Sequence, residues 1–327
     1  TNMAGIQEIA EKAGLSISTV SYALNGSIKV NEKTRSRIFK IAEEYNYSPN
    51  LAGRMLKKQK NYIIGLYLHD FGGYFYSHMI DGVNKVLSKN NYEVIVATGG
   101  SKTRDFISQG LVDGAIVFDS DFPDDMIKKY ALSGKPIVVM DRKLSGDNIT
   151  QVLLDNESGS KQAIQALNET DVDVFVIITG PGNSHDSNER LAAALKAIDE
   201  SSDKPVKVIH SDFTIAGGHH VAKEIADMKY EKIGIFALND EMAVGLIEEL
   251  PTEKIGHDIQ VIGFDNDIIG QYITPGLTTI DYSKHHWGSV AAETLLEMID
   301  DRNQFDHKKI LTHIQHRASL EKFENND

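Results

Sequence analysis

From Tyr62 onward, short apolar runs alternate with helical stretches. IIGLYLH, YEVIVAT, DGAIVF and PIVVM form one series, and VFVIIT, VKVIHS, KIGIFAL and IQVIGFD form a second. A strand that is apolar at nearly every residue has to be covered on both faces. Helices between such strands supply the cover, and a strand–helix–strand crossover makes neighbouring strands parallel. The pattern predicts an α/β architecture of two lobes, each a doubly wound parallel sheet. Ligands in such folds bind beyond the carboxyl ends of the strands. With two lobes facing each other, that place is the cleft between them.

The first sixty residues follow another rule. IQEIAEKAG spaces Ile6, Ile9, Ala10 and Ala13 for a short helix, ended by Gly14 where a positive φ is wanted. Ser16 suits the N-cap of a second helix, ISTVSYALN, on which Val20, Ala23 and Leu24 point one way. Asn31 caps a third, NEKTRSRIFKIAEEYNY, with Ile38, Ile41, Ala42 and Tyr45 inside. Two short helices joined by a Gly-containing turn make a helix-turn-helix. A plain three-helix domain would satisfy the same spacing, but a helix that only capped a core would more often carry Glu and Lys outside. The second helix instead carries Ser16, Ser18, Thr19 and Ser21, which can donate to phosphates, and Tyr22, which can bond or stack. DNA-binding proteins of this kind insert the N-terminal end of the second helix into the major groove. Charge agrees: residues 1–60 hold ten basic and five acidic residues, while the remainder holds 24 basic and 42 acidic. A basic module is fused to an acidic one.

GLSISTVSYALNG, VNEKTRSRI and YNYSPNLAGRML resemble the lactose/galactose-repressor family nearly position by position. The resemblance implies that Ile17, Ser18 and Tyr22 read bases, and that Leu56 wedges into the minor groove from a hinge helix. It places Ser16, Thr19, Ser21, Asn25, Asn31, Thr34 and Tyr47 at phosphate contacts. Two positions depart from the family pattern. Tyr22 stands where many members carry Arg, so a bidentate contact to guanine is lost there. Gly53 stands in the hinge where alanine is usual, which weakens a helix that is already short.

The resemblance continues to about residue 320 through IIGLYLHDFGGYFY, VDGAIVF, PIVVMD, LLDNESG, ERLAAALKAI, ALNDEMAVG, VIGFDN and PGLTTI. It implies a two-lobed fold like that of periplasmic binding proteins, with three crossings between lobes. The expected organisation is a DNA-binding domain over residues 1–47, a hinge and linker over 48–60, and an effector-binding and dimerisation domain over 61–327. Within the last, 61–155 with 285–312 should form one lobe, and 156–284 with 313–327 the other.

Asp70, Phe75, Tyr76, Asp141, Arg190, Phe213, Asn239 and Asp265 all follow strand runs. Any one could be a helix cap, as Asn239, Asp240 and above all Asp155 suggest. Together they supply acceptors for hydroxyls, an arginine for bidentate bonding and aromatic faces for C–H surfaces, which is what a sugar needs. The resemblance sets Arg190, Phe213, Asn239 and Asp265 against the effector. Two further departures concern this region. ATGGSKTRDFISQGLVDG is shorter than usual, which predicts a trimmed helix, and RLAAALKAI lacks the Gly and aromatic that commonly follow the arginine.

The expected protein is a DNA-binding transcriptional regulator, a repressor that holds a palindromic operator in double-stranded DNA as a homodimer. A sugar or phosphosugar would control it from the cleft. The alternatives are a purine- or phosphoprotein-responsive member of the same family, or a solute-binding protein. No enzyme is expected: there is no Cys, G-x-S-x-G, Walker A lysine motif or H-E-x-x-H, and TGPG at 179–182 is a strand-to-helix turn. No cofactor or metal is expected, since the adjacent pairs His219–His220 and His285–His286 point about 100° apart on a helix. The opening TNMAGIQEIAEKAG does not resemble a signal peptide and no apolar run would span a membrane, so a cytoplasmic location is expected.

Overall fold

The computed structural model describes residues 5–47, 60–72, 75–300 and 306–321. The chain separates into two compact units, Thr1–Asn61 and Tyr62–Asp327. In the first unit, α1 (Ile6–Ala13), α2 (Ile17–Leu24) and α3 (Glu32–Glu44) enclose Ile9, Ala13, Val20, Ala23 and Ile38. Gly14 ends α1 at φ 63°. Ser16 Oγ accepts from Thr19 N at 3.1 Å, and Asn31 Oδ1 accepts from Thr34 N at 2.9 Å. Each such cap satisfies a helix-end donor and contributes about 1 kcal/mol.

The second unit opens with β1 (Ile63–Leu68), α4 (Tyr76–Lys89), β2 (Glu93–Thr98), α5 (Ser101–Ser108), β3 (Gly114–Phe118), α6 (Asp124–Leu132), β4 (Ile137–Val139) and β5 (Ile149–Leu154). There follow α7 (Asn156–Asn168), β6 (Val174–Thr179), α8 (His185–Ser201), β7 (Val206–His210), α9 (Ile215–Ala226), β8 (Ile233–Ala237), α10 (Asp240–Glu249), β9 (Ile259–Phe264), α11 (Ile268–Tyr272) and β10 (Thr278–Asp281). The chain ends with α12 (Lys284–Asp300), β11 (Lys308–Ile310) and β12 (His313–Gln315).

Two six-stranded sheets result, ordered β11-β5-β4-β3-β1-β2 and β12-β10-β9-β8-β6-β7. Within them only the β10–β12 pair is antiparallel. The chain passes between the sheets three times: after β5, between β10 and α12, and between β11 and β12. The apolar runs foretold four strands per lobe, so β5, β10, β11 and β12 are additions. ITQVLL, TTID, KKI and HIQ are short or broken by polar residues, and their signal is correspondingly weak. The trimmed segment after β2 carries only the eight-residue α5.

One helix pair in each lobe touches backbone to backbone. A Cβ at Gly82 of α4 would collide with the His285 carbonyl of α12, and one at Gly288 with the Met79 carbonyl. The α9–α10 pair repeats the device: Gly218 lies against the Met242 carbonyl and Gly245 against that of Ile215. In an exposed helix Gly→Ala would stabilise by up to about 1 kcal/mol. At Gly288 the sign should reverse, with Gly288→Ala costing about 1–3 kcal/mol by overpacking. Thermal unfolding checks this, and a higher midpoint in the variant would contradict the backbone contact.

Candidate functional site

The outer face of α2 is built by subtraction. Val20, Ala23 and Leu24 are buried, which turns Ile17, Ser18 and Tyr22 outward; Ile17 and Tyr22 are each 45% exposed. Lys29 Nζ lies 5.4 Å from the centre of the Tyr22 ring, adding positive charge beside it. Of the phosphate candidates, Ser16, Asn25 and Asn31 are exposed, and Thr19, Ser21, Thr34 and Tyr47 are half-buried. Several are already engaged locally: Ser16 and Asn31 cap helices, and Asn25 Nδ2 donates to Ser21 O at 2.7 Å. Leu56 and Gly53 lie outside the described residues.

The cleft between the two sheets has a volume of about 540 Å³. Asp70, Phe75, Tyr76, Asp141, Arg190, Phe213, Asn239 and Asp265 all line it. One wall is aromatic. Phe75 stacks on Phe118 at 5.5 Å, and Tyr76 meets both rings edge-on. Buried Trp287 stands edge-on to the same two rings, 6.3 Å from Phe75 and 5.2 Å from Phe118. Opposite, Phe213 holds φ 68°, a conformation rare for a bulky residue, and its ring occupies the place a Cβ on Gly180 would need.

Arg190 does not directly follow its strand. Instead Ser184 caps α8, accepting from Ser187 N, and Arg190 sits in the second turn. Arg190 is 3% exposed and heavily engaged. Nε donates to Asn156 Oδ1 at 2.9 Å and Nη1 to Leu238 O at 2.7 Å. Nη2 lies 3.6 Å from Asp265 Oδ1, and the guanidinium stacks 3.6 Å above the Phe264 ring. Asn156 also donates to Asp186 at 2.7 Å and to Glu189 at 3.3 Å.

Asp265 is buried and takes φ 113°. Tyr282 donates to its Oδ1 at 2.8 Å, and Lys284 donates to its carbonyl. Lys284 also pairs with Asp267 at 3.1 Å. Burial pushes the Asp265 carboxyl up to about 7, against the pull of Arg190. Burial likewise raises Asp240, which accepts from Asp267 N at 2.7 Å and Thr279 Oγ1 at 2.6 Å. Asp141 is raised to about 6 by burial, although Arg142 grips it with two hydrogen bonds of 3.2 and 3.0 Å.

Asn239 lines the cleft but is engaged at both ends. Its Oδ1 caps α10 through Met242 N at 3.0 Å, and its Nδ2 donates to Phe213 O at 2.8 Å. Asp155 caps α7, accepting from Ser158 N at 3.3 Å. Lys143, after β4, pairs with Glu189 of α8 and so ties one lobe to the other. His185 lies 3.3 Å from Glu189 and holds that carboxyl down to about 2, while Glu189 raises the imidazole.

Residues not foreseen include Phe118, Asp186, Asp267 and Lys284. Phe118 ends a strand run and Asp267 follows one, so position could have flagged both; Lys284 had no local signal, because it reaches Asp265 from a separate chain crossing. Among the described residues, one set could hold a metal ion: His69, Asp119 and Asp121 bring ligand atoms within 4.8 Å of one another at the cleft. The paired histidines diverge, His219 to Glu248 and His220 to Ala216 O. No helix among the described residues is long and apolar enough to cross a membrane.

Comparisons with known proteins place this geometry. Residues 5–50 match the model of bacterial regulatory proteins of the lacI family, and residues 162–320 match that of a periplasmic binding protein-like domain. The HTH-type transcriptional repressor PurR of Vibrio atlanticus is 31% identical over 321 residues, covering 94% of each chain. A sugar-binding transcriptional regulator of the LacI family from Enterococcus faecalis is 38% identical, with a TM-score of 0.75 over 81% of this chain and all of the other. A LacI-family regulator from Enterococcus faecium, solved with bound ribose, is 26% identical, with a TM-score of 0.73 over 80% of this chain and all of that one. The chain belongs to the lacI family of bacterial regulatory proteins and is a DNA-binding transcriptional repressor.

Proposed function

We propose that the chain represses transcription in the cytoplasm as a homodimer on a palindromic operator, and that a sugar in the inter-lobe cleft controls it. The observation that carries the effector reading is the convergence of Asp70, Phe75, Tyr76, Asp141, Arg190, Phe213, Asn239 and Asp265 on one cleft with an aromatic wall. Aromatic faces suit the C–H surface of a sugar ring, and buried polar groups fix its hydroxyls. The ribose bound by the 26% identical regulator supports the same class. Residues 1–47 would bind DNA, 48–60 would form the hinge with Leu56 in the minor groove, and 61–327 would hold effector and partner. The lobes would divide at 61–155 with 285–312 against 156–284 with 313–327.

On DNA, α2 would lie in the major groove with Ile17, Ser18 and Tyr22 against base edges. One module offers few contacts, and two-fold symmetry doubles them on a palindrome. Tyr22→Ala is expected to weaken operator binding about 10- to 100-fold while sparing non-specific binding, since base contacts specify and phosphate contacts position. Fluorescence anisotropy on a palindromic fragment and a scrambled one measures both. Equal losses on the two fragments would remove Tyr22 from the base-reading set.

The Lys143–Glu189 pair would help hold the lobes together around the effector. Both side chains are partly exposed, so the pair is weak. Lys143→Ala is expected to lower effector affinity about 2- to 5-fold in a binding titration. Unchanged affinity would show that closure does not use this pair.

A further inference from the structure

Eight Asp or Glu residues line the cleft, against a single Arg or Lys among the described residues, Arg190. That arginine arrives engaged on all three nitrogens, by Asn156, Leu238 O and Asp265. The other cations nearby are also held: Lys284 by Asp267 and the Asp265 carbonyl, Arg142 by Asp141 and Asp124, Lys143 by Glu189. Helix N-termini would ordinarily welcome an anion. Those of α8, α9 and α10 reach this cleft already capped, by Ser184, Thr214 and Asn239; those of α4 and α11 reach it without a side-chain cap, α4 led by the Phe75 and Tyr76 rings and α11 by the Asp267 carboxylate. Asp186 adds negative charge in the first turn of α8, and Glu241 does so in α10. The Tyr76 hydroxyl registers the result: after burial, the groups that raise its pKa are Asp70, Asp119, Asp141 and Glu241.

We infer that the effector is an unphosphorylated sugar, neutral or amine-bearing, and that this cleft excludes phosphorylated and carboxylated sugars. The inference rests on the sugar reading of the cleft given above. Hydroxyl groups donate to carboxylates without a net charge to accommodate, and an ammonium group adds a charge-assisted bond. A phosphate would bring a dianion to a negative field with no uncommitted Arg or Lys among the described residues that line it. Like charges brought together during binding act as a strong filter against the wrong partner.

The chain's single tryptophan gives the readout, because Trp287 packs directly behind Phe75 and Phe118. Full-length protein is titrated with pentoses, hexoses and disaccharides, each beside its phosphate ester, amino and uronic acid derivatives, while Trp287 emission and thermal midpoint are followed. A free sugar should bind, its amino derivative at least as well near neutral pH, and its phosphate and uronate about 100-fold more weakly or not at all. Raising the salt should narrow that gap, since screening weakens charge repulsion. A phosphate ester or uronate that binds as tightly as its parent overturns the inference and leaves the sugar reading standing. If no sugar of any charge binds, the sugar reading falls and the inference falls with it.

Discussion

Operator binding by an Arg190→Lys protein should no longer respond to effector. Arg190 is fixed by Asn156, by Leu238 O and by its stack on Phe264, and it turns its last nitrogen toward Asp265 and the cleft. Lysine keeps the charge but has one nitrogen in place of a planar fork, so it cannot make these contacts together. Effector affinity should drop about 100-fold or more, the scale of a lost charged hydrogen-bond set. Basal operator affinity should stay within about 2-fold, because the helix-turn-helix unit has its own core. Arg190→Ala is a poorer test: it leaves Asn156 Oδ1 and Leu238 O without their donor and uncovers the Phe264 ring, a structural cost that would confound the result. Anisotropy titrations with and without effector, alongside circular dichroism melts, separate the two effects. A normal effector response in the lysine variant would remove Arg190 from the binding site.

Asp265→Asn should make the protein more stable at pH 7.5 and less dependent on pH, while destroying effector binding. Burial raises this carboxyl to about 7 in the folded chain, whereas an unfolded aspartate titrates near about 4. Between those values the native state keeps a proton that the unfolded chain has released. The sign follows: the stability contributed by the protonated carboxyl is fully present below about pH 4 and is lost as pH rises toward 7. Asp141, raised to about 6, adds the same trend over a narrower window. Glu189 acts in the opposite direction, but at about 2 its own loss falls well below this range. The wild-type melting midpoint should therefore fall between pH 5.5 and 7.5. The amide is isosteric, and Asn tolerates positive φ about as Asp does. At pH 7.5 its midpoint should lie roughly 2–6 °C above wild type. A wild-type midpoint that climbs over this range, or an amide variant that melts lower at pH 7.5, would contradict the burial account.

These two residues show what could be read beforehand. Asp265 directly follows a strand, and strand ends in parallel sheets face the ligand side, so its place in the cleft was legible; Arg190 stands in the second turn of α8, and the family resemblance is what set it against the effector. Their partners were not legible. Asn156, Leu238 O and Lys284 come from three different parts of the chain, and no local pattern announces a long-range hydrogen bond. Asn239 shows the opposite limit: a residue that favours both caps and ligands was expected in the site, and its side chain serves as a cap while bordering the cleft. The long apolar strands were visible because every residue is buried. The edge strands β11 and β12 were not, since only three residues of each pair and some of those face solvent.

The glycine contacts between α4 and α12, and between α9 and α10, bear on how a small ligand's free energy is delivered. Helices that meet at the backbone cannot slide by repacking side chains, so each lobe resists internal shear. Compliance is then concentrated in the three chain crossings. The effector domain is then close to two stiff plates joined at three crossings. A ligand that closed the cleft would lose little binding free energy to flexing the plates, and a pair of labels placed across the cleft would follow that closure.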